Sequence, residues 1–256
     1  MTARSMLQTG LFIPVLLFLA ACGGGGGGGD GGPVAMPVSS LQGTWYGSYQ
    51  YNSASATAAF LAVDVNASGQ ITAIRRGGSN STNGTSLNLN GTIQNVGGSK
   101  FRFVLSDTTV GGFLVDAAGA HAGFLDENGS IGALQKGATA PALYVFGDVA
   151  GAWSGYTVAL DNSMAVVREG GSNATVAGAT ATGSDFNGTF TASISISSYN
   201  SMYGYFPGTW SNTTGTGNLR AFLSTDKRFA AEWACLGSVS YPGNFDNCTF
   251  AIWNKQ

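Results

Sequence analysis

The chain has 256 residues, of which only 9% are charged, and its formal net charge is −2. A typical soluble domain is about 25% charged, and nucleic-acid binding needs a concentrated surface of Lys and Arg, so this composition argues against nucleic-acid partners. With 44% hydrophobic residues the chain is also unlike a disordered acidic tail. Its single histidine argues against histidine-based metal sites and catalytic triads. We therefore expect no metal, no cofactor and no catalytic residues.

Residues 1–21 have the pattern of a secretory signal peptide. Arg4 supplies a positive start, and residues 11–20 are a continuous run of mostly apolar side chains. That run is too short for a helix crossing the membrane core, which needs roughly 20 apolar residues. A short apolar run between a positive start and small residues is typical of an exported protein.

The segment Leu19-Ala20-Ala21-Cys22 resembles the lipobox of bacterial lipoproteins. In that family the cysteine thiol is diacylated, the signal peptide is cleaved before it, and the new amino terminus is acylated. The resemblance implies that Cys22 is the lipid-attachment residue and that the membrane is a partner through this anchor, which is stable because several chains hold far better than one. The alternative is an ordinary signal peptide with a chance cysteine.

Residues 22–37 would form the lipidated cysteine and a flexible glycine-rich tether, because residues 23–29 are all glycine. A polyglycine run in this place also resembles some surface-exposed Gram-negative lipoproteins. The residue after Cys22 is glycine, whereas aspartate there retains enterobacterial lipoproteins in the inner membrane. The resemblance thus implies an outer-membrane location, facing either the periplasm or the cell surface.

The remainder divides into two similar modules, residues 38–140 and 141–256. Residues 43–47 (GTWYG) recur as 151–155 (GAWSG), 75–80 (RRGGSN) as 168–173 (REGGSN), and 90–93 (NGTI) as 187–190 (NGTF). Near the end of each half, residues 113–114 match 222–223, and residues 123–124 roughly match 232–233, at an offset of 109. The matches follow the same order in both halves, which indicates a duplication. The alternative is coincidence in a chain rich in Gly, Ser, Asn and Thr.

Each half shows the two-residue period of half-buried antiparallel strands. Phe101, Phe103 and Leu105 alternate with residues 102, 104 and 106, and turn signals such as Asn83-Gly84 separate the strand patterns. About eight short strands fit in each half. We predict an all-β fold of two tandem antiparallel up-and-down β-meander or barrel modules.

The Gly-x-Trp near the start of each half resembles the first-strand motif of lipocalins and avidins, which are eight-stranded barrels. In those families the Trp closes one barrel end, and a basic side chain from the last strand packs over it. The resemblance implies these roles for Trp45 with Lys136 and for Trp153 with Lys255. The alternative for both tryptophans is that of simple core anchors.

The two cysteines after Cys22 are Cys235 and Cys248, an even pair in an exported chain, which predicts a disulfide. His121 is expected to be a structural or surface residue. Residues 64–71 begin like a calcium loop, but Arg75 stands where the twelfth-position acid belongs, so a hairpin turn is favoured. Glu232 lies outside any turn pattern and is the first acid to mutate in a test for catalysis.

The sequence therefore predicts an envelope-anchored lipoprotein whose modules act as a non-catalytic binding or structural surface protein. Its partners would be an apolar small molecule, a glycan or an envelope protein. One alternative is an envelope enzyme such as a glycan hydrolase, which needs two acids in one cleft. Others are a lipocalin-like carrier of small ligands and a passive spacer. An apolar cavity inside a barrel would favour the carrier, whereas filled barrels would favour contacts through outer loops.

Overall fold

The computed structural model describes residues 36–51, 58–237, 245 and 247–256. The predicted signal peptide, Cys22 and all but the last two residues of the tether lie outside them. No helix in the part of the chain that the structure describes has the length and apolarity needed to cross a bilayer.

The first module is a ring of eight antiparallel strands with one short strand attached. Within the ring each strand pairs with its neighbour in sequence, β3 pairs with β5, and β1 pairs with β9; the two-residue β4 lies outside the ring and pairs with β3. The strands are β1 Gly43–Gln50, β2 Ala58–Val65, β3 Gln70–Arg76, β4 Thr85–Ser86, β5 Gly91–Gly97, β6 Lys100–Leu105, β7 Val110–Val115, β8 His121–Asp126 and β9 Ile131–Lys136.

The second module is a closed eight-stranded barrel in which every strand pairs with its neighbour in sequence and β10 pairs with β17. Its strands are β10 Gly151–Leu160, β11 Val166–Ala177, β12 Thr180–Asp185, β13 Gly188–Ile194, β14 Tyr205–Asn212, β15 Gly215–Leu223, β16 Phe229–Leu236 and β17 Cys248–Lys255. The prediction of two tandem antiparallel barrels of about eight strands is confirmed. A one-turn 3-10 helix precedes each barrel, at Val38–Leu41 and at Phe146–Val149.

The calcium-like segment is the hairpin turn between β2 and β3. The side-chain oxygen of Asn66 accepts hydrogen bonds from the amides of Ser68 and Gln70, at 3.1 and 2.9 Å. Gly69 has a φ of +76°, which favours glycine. Local turn chemistry therefore accounts for these polar residues without an ion.

Strand register defines which positions of the two repeats are equivalent. Lys136 lies opposite Trp45, as Lys255 lies opposite Trp153. Following the pairing from these anchors places His121 of β8 at the position of Phe229 of β16, an offset of 108. The expected offset of 109 in this region is therefore wrong by one residue, and Phe124 corresponds to Glu232.

One of the sequence matches between the halves joins strands that are not equivalent. Arg75 and Arg76 lie at the end of β3, the third strand of its barrel, whereas Arg168 lies in β11, the second strand of the other barrel. By register, Arg76 corresponds to Asp185 at the end of β12. The shared Gly-Gly-Ser-Asn sequence therefore does not mark structurally equivalent residues, and these residue types are simply common in the turns and strands of this chain.

The two barrels pack side by side through β8 and β9 of one and β16 and β17 of the other. A single buried apolar cluster includes Leu125 and Ile131 from the first barrel and Phe250 and Ile252 from the second. A Cβ on Gly123 would lie 2.8 Å from Cγ2 of Ile252, so glycine there permits the close approach of the sheets. The predicted division at residues 140 and 141 falls in the segment between β9 and the second 3-10 turn.

Candidate functional site

One end of each barrel is closed in the same way. Trp45 Nε1 donates a hydrogen bond to the Leu41 carbonyl at 2.8 Å, and Lys136 Nζ donates to the Ser40 carbonyl at 2.7 Å. Lys136 Nζ also lies 5.9 Å from the centroid of the Trp45 ring. These hydrogen bonds hold the 3-10 turn Val38–Leu41 at this end of the barrel. We call this turn, together with Trp45 and Lys136, the stopper of the barrel.

The second barrel repeats this arrangement. Trp153 Nε1 donates to the Val149 carbonyl and Lys255 Nζ to the Asp148 carbonyl, both at 2.8 Å, and Lys255 Nζ lies 5.5 Å from the Trp153 ring centroid. Both tryptophans are at most 5% exposed. Each Trp–Lys pair is therefore hydrogen-bonded in the same way to the 3-10 turn that precedes its barrel.

The other end of the first barrel opens into a cavity of about 430 Å³. This volume is in the range of small-molecule sites, and an eight-stranded barrel is just wide enough to hold one small ligand. Its wall is apolar and includes Leu61, Val63, Ile74, Phe103, Phe113 and Phe124. Polar side chains also line it, namely Tyr49, Tyr51, Arg76, Asp107, Asn128 and Asp126.

Arg76 is the cation that lines this cavity. Its guanidinium carbon lies 5.8 Å from the ring centroid of Tyr49 and 5.2 Å from that of Tyr51. Burial raises the pKa of Tyr49 to about 12, so its hydroxyl stays neutral. Arg76 was not among the predicted site residues, although an Arg75-Arg76 pair is a noticeable signal in a chain with so few charges.

Asp126 also lines the cavity, at the turn between β8 and β9. One carboxylate oxygen accepts hydrogen bonds from the amides of Asn128 and Ser130, at 2.9 and 2.8 Å. Burial is the main cause that raises the pKa of Asp126 to about 6. The negative charge at this side of the cavity is therefore partly lost in mildly acidic solution.

The second barrel also opens opposite its stopper, into a cavity of about 360 Å³. Here the chemistry is more polar, because Glu232 stands at the position of Phe124. Trp253 Nε1 donates to Glu232 Oε2 at 3.0 Å, and burial, with a contribution from Asp185, raises the pKa of Glu232 to about 7. Trp210 Nε1 is buried there without a hydrogen-bond partner. The two cavities thus differ in chemistry despite their common architecture.

His121 lies where the barrels meet. Its Nδ1 is 2.7 Å from Asp116 Oδ2 in its own barrel, and its Nε2 is 2.9 Å from Asp226 Oδ2 in the other. Burial alone would lower the pKa of His121, but the two carboxylates outweigh it and hold that pKa above the ordinary value. His121 is thus a structural residue, and its role is to join the two barrels.

A cleft of about 650 Å³ runs along the outside of the junction between β6 and β7 of one barrel and β11 of the other. Lys100 and Glu169 form a salt bridge between the barrels at its edge.

The Cys235–Cys248 disulfide links opposed residues of β16 and β17, so the prediction of this disulfide is confirmed. Among the described residues no group of three or more acidic, Cys or His side chains is arranged to hold a metal ion.

No family model and no curated protein matches the chain. Among solved structures, it is similar to a protein of unknown function from the DUF3598 family of Nostoc punctiforme, at 11% identity and a TM-score of 0.35, covering 87% of this chain and 100% of that one. It is also similar to mutant transferrin-binding protein B from Haemophilus parasuis, at 10% identity and a TM-score of 0.33, covering 77% and 61%. The same protein from Neisseria meningitidis serogroup B matches at 8% identity and 0.33, covering 78% and 59%. The chain thus spans about three fifths of these transferrin-binding proteins.

Proposed function

We propose that this protein is a lipid-anchored envelope protein that binds small, mainly apolar molecules without catalysis, and that the first barrel holds the ligand. The observation that carries the proposal is the apolar cavity of about 430 Å³, closed at one end by Trp45 and its 3-10 turn and open at the other. It favours the carrier alternative over passive spacing, because a spacer needs no enclosed apolar volume.

Two features support the cellular location in this proposal. The Cys235–Cys248 disulfide is typical of an exported protein, because disulfides persist in oxidising compartments. The lipobox-like segment that ends at Cys22 supports attachment to the outer membrane through acyl chains.

The proposal is tested by uptake of phenylnaphthylamine, a neutral apolar dye that fluoresces in dry surroundings. We expect the purified protein to bind it and Leu87→Trp to bind it weakly, because Leu87 lines the cavity and a larger side chain there fills it. Val104→Trp is the matched control, since Val104 lies on β6 outside that cavity and is 37% exposed. Native mass spectrometry of the same samples would identify a co-purified ligand by its added mass.

Two results would contradict the proposal. One is an absence of dye fluorescence with the wild-type protein. The other is equal binding by the Leu87→Trp and Val104→Trp variants, because the dye would then bind outside the cavity.

The glycan-hydrolase alternative has one observation in its favour. Asp185 and Glu232 line the same cavity of the second barrel, and a carboxyl with a pKa of about 7 suits a general acid. Aryl glycosides offered to the wild-type protein and to Glu232→Gln test it. We expect no hydrolysis by either, and turnover that is lost only in the variant would establish the enzyme.

A further inference from the structure

We propose that the cavity of the first barrel selects anionic amphiphiles, with the apolar part inside the barrel and a carboxylate or phosphate group bound by Arg76 between Tyr49 and Tyr51. This inference rests on the proposed function, because it names the chemical class of ligand for the same cavity.

The first step is the direction of the Arg76 side chain. On β3, Arg76 lies on the same side as Ile74, and both side chains line the cavity. Its side chain is only partly exposed, and its flat guanidinium lies near two tyrosine rings, Tyr49 and Tyr51. The rings hold the cation at the edge of the apolar space without consuming its hydrogen-bond donors.

The guanidinium group of Arg76 has hydrogen-bond donors available for a ligand. The neighbouring Arg75 points outward and uses its guanidinium on both carboxylate oxygens of Asp64, at 2.7 and 3.1 Å, and on the Ser81 carbonyl. Arg76 makes no side-chain hydrogen bond and no ion pair with any residue that the structure describes. A planar guanidinium fits a carboxylate or phosphate with two parallel hydrogen bonds, so an anionic head group supplies the missing partner.

The two acids of the cavity do not occupy Arg76. One carboxylate oxygen of Asp126 is engaged by the turn amides of Asn128 and Ser130, and burial raises the pKa of this carboxyl to about 6. Asp107 accepts a hydrogen bond from the Thr109 amide in an exposed turn. Both acids oppose an anionic ligand through space, whereas Arg76 would hold its head group at hydrogen-bond distance, where the Coulomb energy is largest.

The second barrel has the same architecture but different side chains at the positions that would select an anionic ligand. Its residue equivalent to Arg76 is Asp185, and the position of Phe124 is taken by Glu232. Arg168, which also lines that cavity, already donates to the Phe186 carbonyl at 2.6 Å and to the Asn187 side chain at 3.2 Å. We therefore expect an anionic amphiphile to bind in the first barrel and not in the second.

The test compares two dyes with the same rings, neutral phenylnaphthylamine and its anionic counterpart anilinonaphthalene sulfonate. The wild-type protein should bind the anionic dye about tenfold more tightly, the size expected for a charged hydrogen-bonded contact. Arg76→Gln should abolish this preference, so that the ratio of the two dissociation constants falls to about one. Arg102→Gln removes the same charge from an exposed side chain outside that cavity and should keep the preference.

Displacement of the bound dye identifies the head group. Dodecanoate and dodecyl phosphate, used separately, distinguish carboxylate from phosphate ligands, and displacement by either one in preference to dodecanol supports the inference. If the neutral dye binds but the ratio of the two dyes is the same in wild type and Arg76→Gln, or if dodecanol displaces as well as both anions, the inference is wrong and cavity binding stands. If neither dye binds, the proposed function itself fails.

Discussion

His121 and Phe229 occupy equivalent positions in the two repeats, and their rings stack on each other with centroids 5.2 Å apart and planes at 11°. The two modules therefore meet through the same strand of each repeat, in a nearly symmetrical contact. The symmetry is broken at this point because only His121 carries a polar ring. It uses that ring to bind Asp116 on one side and Asp226 on the other.

The first prediction concerns the stability of this junction. His121→Ala should lower the free energy of unfolding by about 3 kcal/mol, because the buried Asp116 loses its charge partner. Asp226→Asn should cost only about 1 kcal/mol, since His121 keeps its bond to Asp116. Urea unfolding followed by tryptophan fluorescence measures both. Equal small effects of the two substitutions would show that His121 does not hold the barrels together.

The second prediction is a pH dependence of the same contact. The pKa of His121 is raised, so its stabilising contribution is complete below the ordinary value of about 6.5 and is lost as pH rises through its higher folded value. Burial alone would raise the pKa values of Asp116 and Asp226, but hydrogen bonds outweigh it and lower both. Their contribution is therefore complete above about 4 and is lost as pH falls through the lower folded values.

The difference in unfolding free energy between wild type and His121→Ala should accordingly be largest between about pH 4 and 6.5 and shrink on either side. Using the difference removes the titration of Asp126 and Glu232, which both proteins share. Thermal unfolding across a pH series gives the curve, and a difference that grows steadily above pH 7 would contradict the assignment of the charged pair.

The third prediction concerns the barrel stoppers. Lys136→Met removes the hydrogen bond to the Ser40 carbonyl and the contact with the Trp45 ring, and should destabilise the protein by about 1–2 kcal/mol. Lys255→Met should have a similar effect, because the geometry at Trp153 is the same. Arg102→Met, at an exposed position, serves as the control. Unfolding followed by fluorescence measures the free energy of unfolding of each variant. If neither lysine variant is less stable than the control, the lysines do not stabilise the barrel ends.

The fourth prediction concerns the disulfide. Replacing Cys235 and Cys248 together by alanine should lower stability by about 3 kcal/mol, the amount expected from closing a short loop in the unfolded chain. Intact mass measured before and after reduction should differ by two hydrogens. A reducing agent should lower the unfolding temperature of the wild type and leave that of the variant unchanged.

The fifth prediction concerns the membrane anchor. Cys22→Ala should leave the protein either unprocessed or released from the membrane, because the thiol expected to carry the acyl chains is gone. Membrane fractionation and labelling with a palmitate analogue measure this, with the Cys235→Ala, Cys248→Ala double variant as the control that keeps Cys22. A Cys22→Ala protein that still fractionates and is labelled like wild type would disprove the anchor.

Several features of the fold could be predicted from the sequence because they depend on neighbouring residues. Alternating side chains specify strands, since successive side chains point to opposite faces, and Gly-containing turns specify hairpins. The repeated Gly-x-Trp placed Trp45 and Trp153 at matching positions. The pairing of Cys235 with Cys248 followed from there being two cysteines after Cys22.

Simple alternation of side chains along β3 predicts the wrong arginine in the cavity. Counting every second residue from the buried Ile71 would point Arg75 into the barrel and Arg76 out of it. The pairing of β2 with β3 shifts between Asp64 and Val65, where Ile71 and Ala73 of β3 face consecutive residues of β2. This bulge reverses the alternation, because one extra residue exchanges the two faces of a strand. Arg76 therefore lines the cavity, and Arg75 binds Asp64 outside.

The sequence by itself thus determined the strands, the turns, the two modules and the cysteine pair, all of which follow from local spacing. Only the tertiary structure decided which arginine faces the cavity, that one barrel is lined by Phe124 where the other carries Glu232, and that His121 binds Asp226, 105 residues away. These outcomes depend on how the sheets close and pack against each other. No local pattern encodes that packing, because it is set by contacts between strands far apart in the chain.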